Sequence, residues 1–148
     1  MRVVVQRCDN ANVKINNKIN GEINKGYMLL VGFDKDDTKE DIIKMAKKII
    51  DLRIFTDSND KMNLSIKDVN GSILSISQFT LSAKLSGRRP SFSNAMNFND
   101  AKDMYDMFNK ELRTYDVKVE EGIFGAEMKV SLINDGPVTI LIDSKIDF

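Results

Sequence analysis

The chain has 148 residues, a length typical of one domain, so residues 1–148 are expected to form a single domain. Of these residues, 42% are apolar and 30% are charged, as in an ordinary globular protein. The 22 basic and 22 acidic residues give a formal net charge of zero. A general nucleic-acid coat would carry a basic surplus, so that class is excluded, although a local basic patch is not.

The sequence contains one cysteine, Cys8, and no histidine. A single cysteine cannot close an internal disulfide, and the usual zinc sites need more Cys or His, so we expect no metal and no cofactor. Without histidine, a Ser-His-Asp or Cys-His mechanism cannot be assembled from this chain alone. The lone cysteine favours the cytoplasm. The first apolar run is too short for a signal peptide or a membrane span.

The first half of the chain predicts three strand segments and a helix. Residues 2–7 read as a strand, and residues 13–23 as a hairpin that turns at Asn16-Asn17. The apolar run from Tyr27 to Phe33 is typical of a central strand. Thr38 and Asp41 have capping-box spacing. The helix that follows would bury residues at helical spacing, namely Ile42, Ile43, Ala46, Ile49 and Ile50.

The second half predicts a second helix among further strands. Residues 72–79 and 117–120 read as strands, and residues 127–133 and 138–142 as two strands or one interrupted strand. Asn99 is the expected N-cap of the second helix. Its buried face would comprise Ala101, Met104, Tyr105, Phe108 and Leu112. Because helices do not alternate regularly with strands, the pattern predicts an α+β fold with an antiparallel or mixed sheet and two packed helices.

The segment from Ser77 to Leu81 lies where a strand gives way to a polar stretch. Hydroxyls at Ser77 and Thr80 can serve as nucleophiles or donors, and backbone N–H groups at a strand end can stabilise an oxyanion. The alternative is an ordinary strand end with Phe79 in the core, and spacing alone favours it.

The segment from Asn134 to Thr139 contains a Gly136-Pro137 step. Such a step can adopt the cis form, which would turn two carbonyl groups toward one side. Local sequence alone favours a tight turn between strands.

Three other features have weaker signals. Arg88 and Arg89 occupy a polar loop and can hold phosphates, although a solvated loop is the default interpretation. Gly125 permits a bulge or a close backbone approach. Arg7, which follows a strand, is by default an exposed arginine.

Taken together, these segments resemble the D-aminoacyl-tRNA deacylase family. Residues 77–81 match its SQFTL motif, and residues 134–139 match its NxGPxT motif. Further likeness extends over the chain, at residues 5–7, 89–92 and 124–128. Two motifs in the correct order with these flanking runs are a specific signal.

The resemblance implies a homodimer with a β-barrel-like fold and an active site at the dimer interface. It implies that Ser77, Gln78, Phe79 and Thr80 form the catalytic pocket of one subunit. Gly136 and Pro137 of the other subunit, joined by a cis bond and oriented by Arg7, would exclude L-amino acids from that pocket. The substrate would be D-aminoacyl-tRNA, with glycyl-tRNA also accepted.

The resemblance also implies a mechanism that needs no histidine. The 2′-hydroxyl of the terminal adenosine would assist hydrolysis, while backbone donors near Phe79 and Thr80 bind the oxyanion. A covalent role for Thr80 is the alternative and ranks lower, since Lys84 is the only nearby candidate base. A silent RNA-binding module and a small-ester hydrolase remain alternatives from other classes.

Overall fold

The structure, a computed structural model, describes residues 1–148 and contains eight strands and two α-helices. The strands are β1 (Arg2–Ile15), β2 (Lys18–Ile23), β3 (Gly26–Gly32), β4 (Phe55–Thr56), β5 (Met62–Leu64), β6 (Ser72–Ser77), β7 (Lys118–Glu121) and β8 (Lys129–Asp143). The helices are α1 (Lys39–Asp51) and α2 (Phe98–Arg113), and a short 3₁₀ helix covers Phe79–Ser82. Neither α-helix is long and apolar enough to cross a membrane.

The main sheet is mixed, as predicted. Its strands lie in the order β2-β1-β3-β6-β7, and β8 pairs with the other edge of β1. Strand β1 is antiparallel to β2, β3 and β8, whereas β6 is parallel to both β3 and β7. The predicted hairpin turn at Asn16-Asn17 is confirmed, and both residues have positive φ angles of 49° and 62°. The predicted central strand is also confirmed, because β3 lies between β1 and β6.

Residues 134–137 do not reverse the chain, so the expectation of a tight turn between strands is wrong. Strand β8 continues along β1 on both sides of this segment, with Gln6 opposite Thr139 and Cys8 opposite Asn134. Arg7 is therefore the only residue of β1 that spans residues 135–138 of β8. The extra residues bulge out of the ladder, because Gly and Pro serve bulges as readily as turns.

Two apolar clusters cover opposite faces of the sheet. The helix-side cluster packs both helices against strand residues such as Val5, Leu29 and Ile73. The pocket-side cluster contains residues such as Met28, Leu74 and Ile76, with Met128 and Val130 packed against it. Alternate residues of β6 thus enter different clusters, as the two-residue period of a strand requires.

The helix starts follow from side-chain caps. Thr38 and Asp41 form the predicted capping box of α1. For α2 the cap is Asn97, not Asn99, because the Asn97 side chain accepts a hydrogen bond from the Asp100 amide. The predicted buried face of α2 is confirmed at all five positions. The predicted strand at 72–79 is two residues too long, since the chain leaves the sheet after Ser77.

Candidate functional site

The chain turns sharply at the end of β6. Ser77 is the last residue in register with β3, where it lies opposite Val31. The Gln78 amide still donates to the Val31 carbonyl at 2.7 Å, after which residues 79–82 coil into the 3₁₀ helix. This turn presents the polar segment predicted from the sequence at one edge of a cavity.

The cavity has a volume of about 560 Å³ and lies beyond the ends of β3 and β6. Two of its walls come from the start of α2 and from residues 124–130. Ser77, Gln78 and Phe79 line it, whereas Thr80 does not. Every lining residue is uncharged, and most are apolar. Recognition in such a cavity depends on shape, aromatic surface and backbone polar groups.

Backbone donors are available at the cavity edge. The N–H groups of Phe79 and Thr80 donate to no carbonyl group of the chain. Phe79 is 58% exposed, so its surroundings are open to an incoming ligand. Unpaired N–H groups in a water-poor pocket are suited to stabilise a developing negative charge on oxygen.

The Thr80 hydroxyl is not placed as an activated nucleophile. It accepts a hydrogen bond from the Gln78 side-chain amide at 2.6 Å. Lys84 faces solvent and donates no side-chain hydrogen bond to Thr80. A base has to accept a proton from a nucleophilic hydroxyl, and a side-chain amide cannot do so.

An aromatic wall forms the opposite side of the cavity. Phe98, which is 60% exposed, contacts Phe124 edge-on with ring centroids 5.1 Å apart. Gly125 has φ +77°, and a Cβ atom there would lie 2.6 Å from the Phe98 ring. The predicted close approach at Gly125 is therefore confirmed, and glycine is required for it.

Helix α2 ties this wall to β6 through Tyr105. The Tyr105 hydroxyl donates to the Ser75 carbonyl at 2.7 Å, and the Gly122 amide donates to the same oxygen at 3.1 Å. The Tyr105 ring also packs on Phe124 at 5.7 Å. Burial raises the pKa of Tyr105, so its hydroxyl remains a donor. The strand end and the aromatic wall thus share one buried anchor.

Arg7, Gly136 and Pro137 form a second group. Arg7 is buried, contrary to its default interpretation as an exposed arginine. Its guanidinium donates to the Asp135 carbonyl at 3.1 Å and to the Ile54 carbonyl at 2.5 Å. It also lies 3.2 Å from the Asp135 carboxylate.

Gly136 itself permits this contact. It has φ +116°, and a Cβ atom there would lie 2.7 Å from an Arg7 nitrogen. The peptide bond between Gly136 and Pro137 is cis. Arg7 and the loop therefore form one packed unit, which we call the Arg7 anchor.

The two groups are separated within one chain. Neither Gly136, Pro137 nor Arg7 lines the cavity. Val130 is the one β8 residue that lines the cavity, and Gly136 follows it by six residues along the same strand. Six strand residues span about 20 Å. The structure therefore brings together the predicted residues within each group, but not the groups themselves.

Several cavity residues escaped the sequence analysis. Phe98 and Met96 were not singled out, although both line the cavity. Phe98 gave no separate signal, because it lies three residues before Ala101 and seven before Tyr105 and so continues the apolar stripe of α2. No group of three His, Cys, Asp or Glu residues is placed to hold a metal ion.

Comparison with known sequences identifies relatives over the whole chain. A family model described as D-Tyr-tRNA(Tyr) deacylase matches residues 4–143. The D-aminoacyl-tRNA deacylase of Clostridium perfringens strain SM101 is 52% identical over 149 residues and covers 100% of both chains. The enzyme of the same name from Thermosipho africanus is 53% identical over 146 residues and covers 98% of each.

Solved structures agree with the fold. The c-Myc DNA Unwinding Element Binding Protein is 37% identical and superposes with a TM-score of 0.92, over 97% of this chain and 98% of that one. A probable eukaryotic D-amino acid tRNA deacylase, 22% identical, gives a TM-score of 0.82 over 95% and 97%. The predicted barrel-like α+β fold is thereby confirmed.

Proposed function

We infer that this chain, which belongs to the D-Tyr-tRNA(Tyr) deacylase family, is a hydrolase that cleaves the ester bond of D-aminoacyl-tRNA. The products would be a free D-amino acid and tRNA, so the reaction corrects mischarging before translation. We propose that the protein acts in the cytoplasm. We also propose that residues 1–148 form one domain that carries the activity.

The uncharged cavity with its unpaired amides is the observation that carries the proposed mechanism. Water attacks the ester carbonyl carbon, and the carbonyl oxygen becomes an oxyanion. The N–H groups of Phe79 and Thr80 stabilise that oxyanion. The intermediate then expels the ribose oxygen, which takes up a proton.

A proton acceptor for the attacking water must come from outside the cavity lining, because no lining residue ionises. We propose that the neighbouring 2′-hydroxyl of the terminal adenosine assists this step. The protein then contributes mainly position and oxyanion stabilisation, which suffice for an ester that is already activated.

We propose that the Gly136-Pro137 loop of one copy of the chain excludes L-amino acids from the cavity of a second copy. We call this exclusion the chirality gate. Its support is the separation of about 20 Å along β8 between the Gly136-Pro137 loop and the cavity of the same chain, which a second copy would bridge. Carbonyl groups of the Gly136-Pro137 loop would then occupy the space that an L-side chain needs. Glycine has no side chain, so glycyl-tRNA would also be cleaved.

An apolar row of side chains on the sheet offers a contact surface for that second copy. Leu141 lies opposite Val4, Val4 opposite Leu30, and Leu30 opposite Ile76. Paired residues share a face, so this row leads from β8 to the cavity wall. Leu141 is 62% exposed, which leaves the outer end of the row uncovered in one chain. We therefore propose a homodimer that covers it.

Hydrolysis of D-Tyr-tRNA and L-Tyr-tRNA by the purified protein tests the function. Rapid cleavage of the D-ester alone is expected, whereas binding without cleavage of either ester would indicate a silent RNA-binding module. The double variant S77A/T80A should keep most activity, because the proposed donors are backbone groups. Its complete loss of activity would instead support a side-chain nucleophile.

The cross-subunit gate needs a separate test. The substitution Gly136→Ala places a Cβ atom against Arg7 and should displace the loop. Cleavage of L-Tyr-tRNA should then rise relative to the D-ester, while sedimentation still shows a dimer. A monomeric wild-type protein with full D-selectivity would contradict the gate.

A further inference from the structure

Charge is distributed unevenly along this electrically neutral chain. Residues 69–99 contain no Asp or Glu and three basic residues, Lys84, Arg88 and Arg89. The rest of the chain therefore has a formal net charge of −3, since the total is zero. This acid-free segment includes β6 and the 3₁₀ helix, so the positive charge is concentrated beside the cavity.

The three basic residues belong to one exposed loop. Lys84 and Ser91 form an isolated antiparallel bridge, with amide-to-carbonyl distances of 2.8 and 3.0 Å. The bridge closes a loop of residues 85–90. We call residues 84–91, which are this loop and its two bridging residues, the basic loop. Lys84, Arg88 and Arg89 are all exposed.

Their positive charges are not neutralised within the chain. Arg7 pairs with Asp135, and Arg113 pairs with Glu121. By contrast, none of the three basic-loop cations forms a salt bridge. Arginines without partners on an exposed loop keep their donors available for an anion.

The base of this loop is fixed to the cavity edge. Phe92 directly follows the loop, and its ring contacts the Phe79 ring edge-on at a centroid distance of 5.0 Å. Phe79 lines the cavity. A ligand that enters the cavity past Phe79 therefore passes beside the basic loop. The three cations of the loop then lie next to the part of the ligand that stays outside the cavity.

We propose that the basic loop binds backbone phosphates of the RNA next to its esterified 3′ nucleotide. This inference rests on the proposed function, because it assumes that the cavity holds that nucleotide. A single-stranded RNA end carries one negative charge per nucleotide, and unpaired cations beside an aromatic edge suit such a strand. The loop would add affinity for tRNA without taking part in ester cleavage.

The test compares a long and a short substrate. The double variant R88A/R89A should lower kcat/KM for D-Tyr-tRNA about tenfold at low salt, since it removes two phosphate contacts. It should cleave a D-tyrosyl ester of adenosine, which has no phosphate, within about twofold of the wild-type rate. The variant R88K/R89K keeps both charges and should retain most activity on tRNA.

A matched control removes the same charge elsewhere. Lys44 on α1 and Lys61 next to β5 are exposed, and no residue of α1, β4 or β5 lines the cavity. Buried residues of α1 and β4 belong to the helix-side cluster. The variant K44A/K61A should therefore match the wild type on both substrates.

Binding of deacylated tRNA, which has no ester to cleave, gives a readout that is independent of ester hydrolysis. The slope of log Kd against log salt should become less steep by about 0.7 for each phosphate contact removed. Equal tRNA affinity and slope for R88A/R89A and the wild type would overturn the inference, as would equal losses on both substrates. Failure of the wild type to cleave either D-ester would instead reject the proposed function.

Discussion

The end of β6 and the Arg7 anchor are built in opposite ways. At the end of β6, backbone amides of residues 79 and 80 are unpaired and the neighbouring aromatic rings are exposed. At the anchor, a buried guanidinium satisfies the carbonyl groups of Ile54 and Asp135. Polar groups are thus left unpaired where a substrate has to bind, and are paired where the backbone has to keep its shape.

The comparison predicts that the anchor is the more sensitive region for stability. Arg7→Ala leaves a buried carbonyl group and the Asp135 carboxylate without their partner, so unfolding free energy should fall by about 3 kcal/mol. Urea denaturation measures this change. Arg53 also donates to a carbonyl group, that of Asn63, but is exposed. Arg53→Ala should cost less than about 1 kcal/mol, and an equal loss in both variants would contradict the distinction.

The cavity wall is expected to be more sensitive in activity than in stability. Gly125→Ala combines a positive φ with a clash against Phe98. We expect a loss of about 1–2 kcal/mol in stability and roughly tenfold in kcat/KM for D-Tyr-tRNA. Gly87 offers the control, since a Cβ atom there meets nothing within 4 Å. Because Gly87 lies in the basic loop, both variants are also compared on the D-tyrosyl ester of adenosine, which has no phosphate. Similar kinetics for G125A and G87A would show that the close approach has no role.

Loss of the buried hydrogen bond between α2 and β6 should have a smaller effect on stability. Tyr105→Phe removes the hydrogen bond to Ser75, while Gly122 still donates to that carbonyl group. Stability should fall by about 1 kcal/mol. The Tyr27 hydroxyl lies 3.4 Å from the Leu52 carbonyl, so Tyr27→Phe should cost only a few tenths. Thermal or urea unfolding of both variants measures the two losses, and equal losses would contradict the expected dependence on hydrogen-bond length.

The smallest expected effect concerns thiol chemistry beside the anchor. Cys8 is fully buried, and burial raises its pKa to about 11. Because the thiolate is the reactive form, native protein at pH 8 should resist alkylation and become reactive only after unfolding. A cysteine placed in the basic loop by Ser86→Cys should react readily. Rapid labelling of native Cys8 would show that the anchor region opens to solvent.

Much of the fold was predictable because apolar periodicity reports which face of an element is buried. This holds for α2, where all five predicted residues are buried, and for β3. On α1 the prediction was wrong at Ile43, which is 52% exposed, because it lies beyond the edge of the buried face that the other four residues share. Residues 134–137 were misread because the same Gly-Pro chemistry suits a turn and a bulge, and only pairing with β1 distinguishes them. The α2 cap was misplaced by two residues because both Asn97 and Asn99 are good caps.

The site was predictable only where a motif marked it. Ser77, Gln78 and Phe79 line the cavity, but the sequence could not reveal Phe98 as a wall residue, since its partner Phe124 is distant along the chain. The burial of Arg7 likewise depends on Ile54 and Asp135, which only tertiary packing brings to it. The roles of Thr80, Gly136, Pro137 and Arg7 in catalysis and selectivity stay predictions.

A chamber lined by neutral groups has a thermodynamic consequence. On the protein side, no proton is taken up or released when such a chamber fills, so occupancy is not linked to proton activity. Discrimination between mirror-image substrates then depends on geometry and desolvation, and should remain constant across the acidity range in which the fold persists.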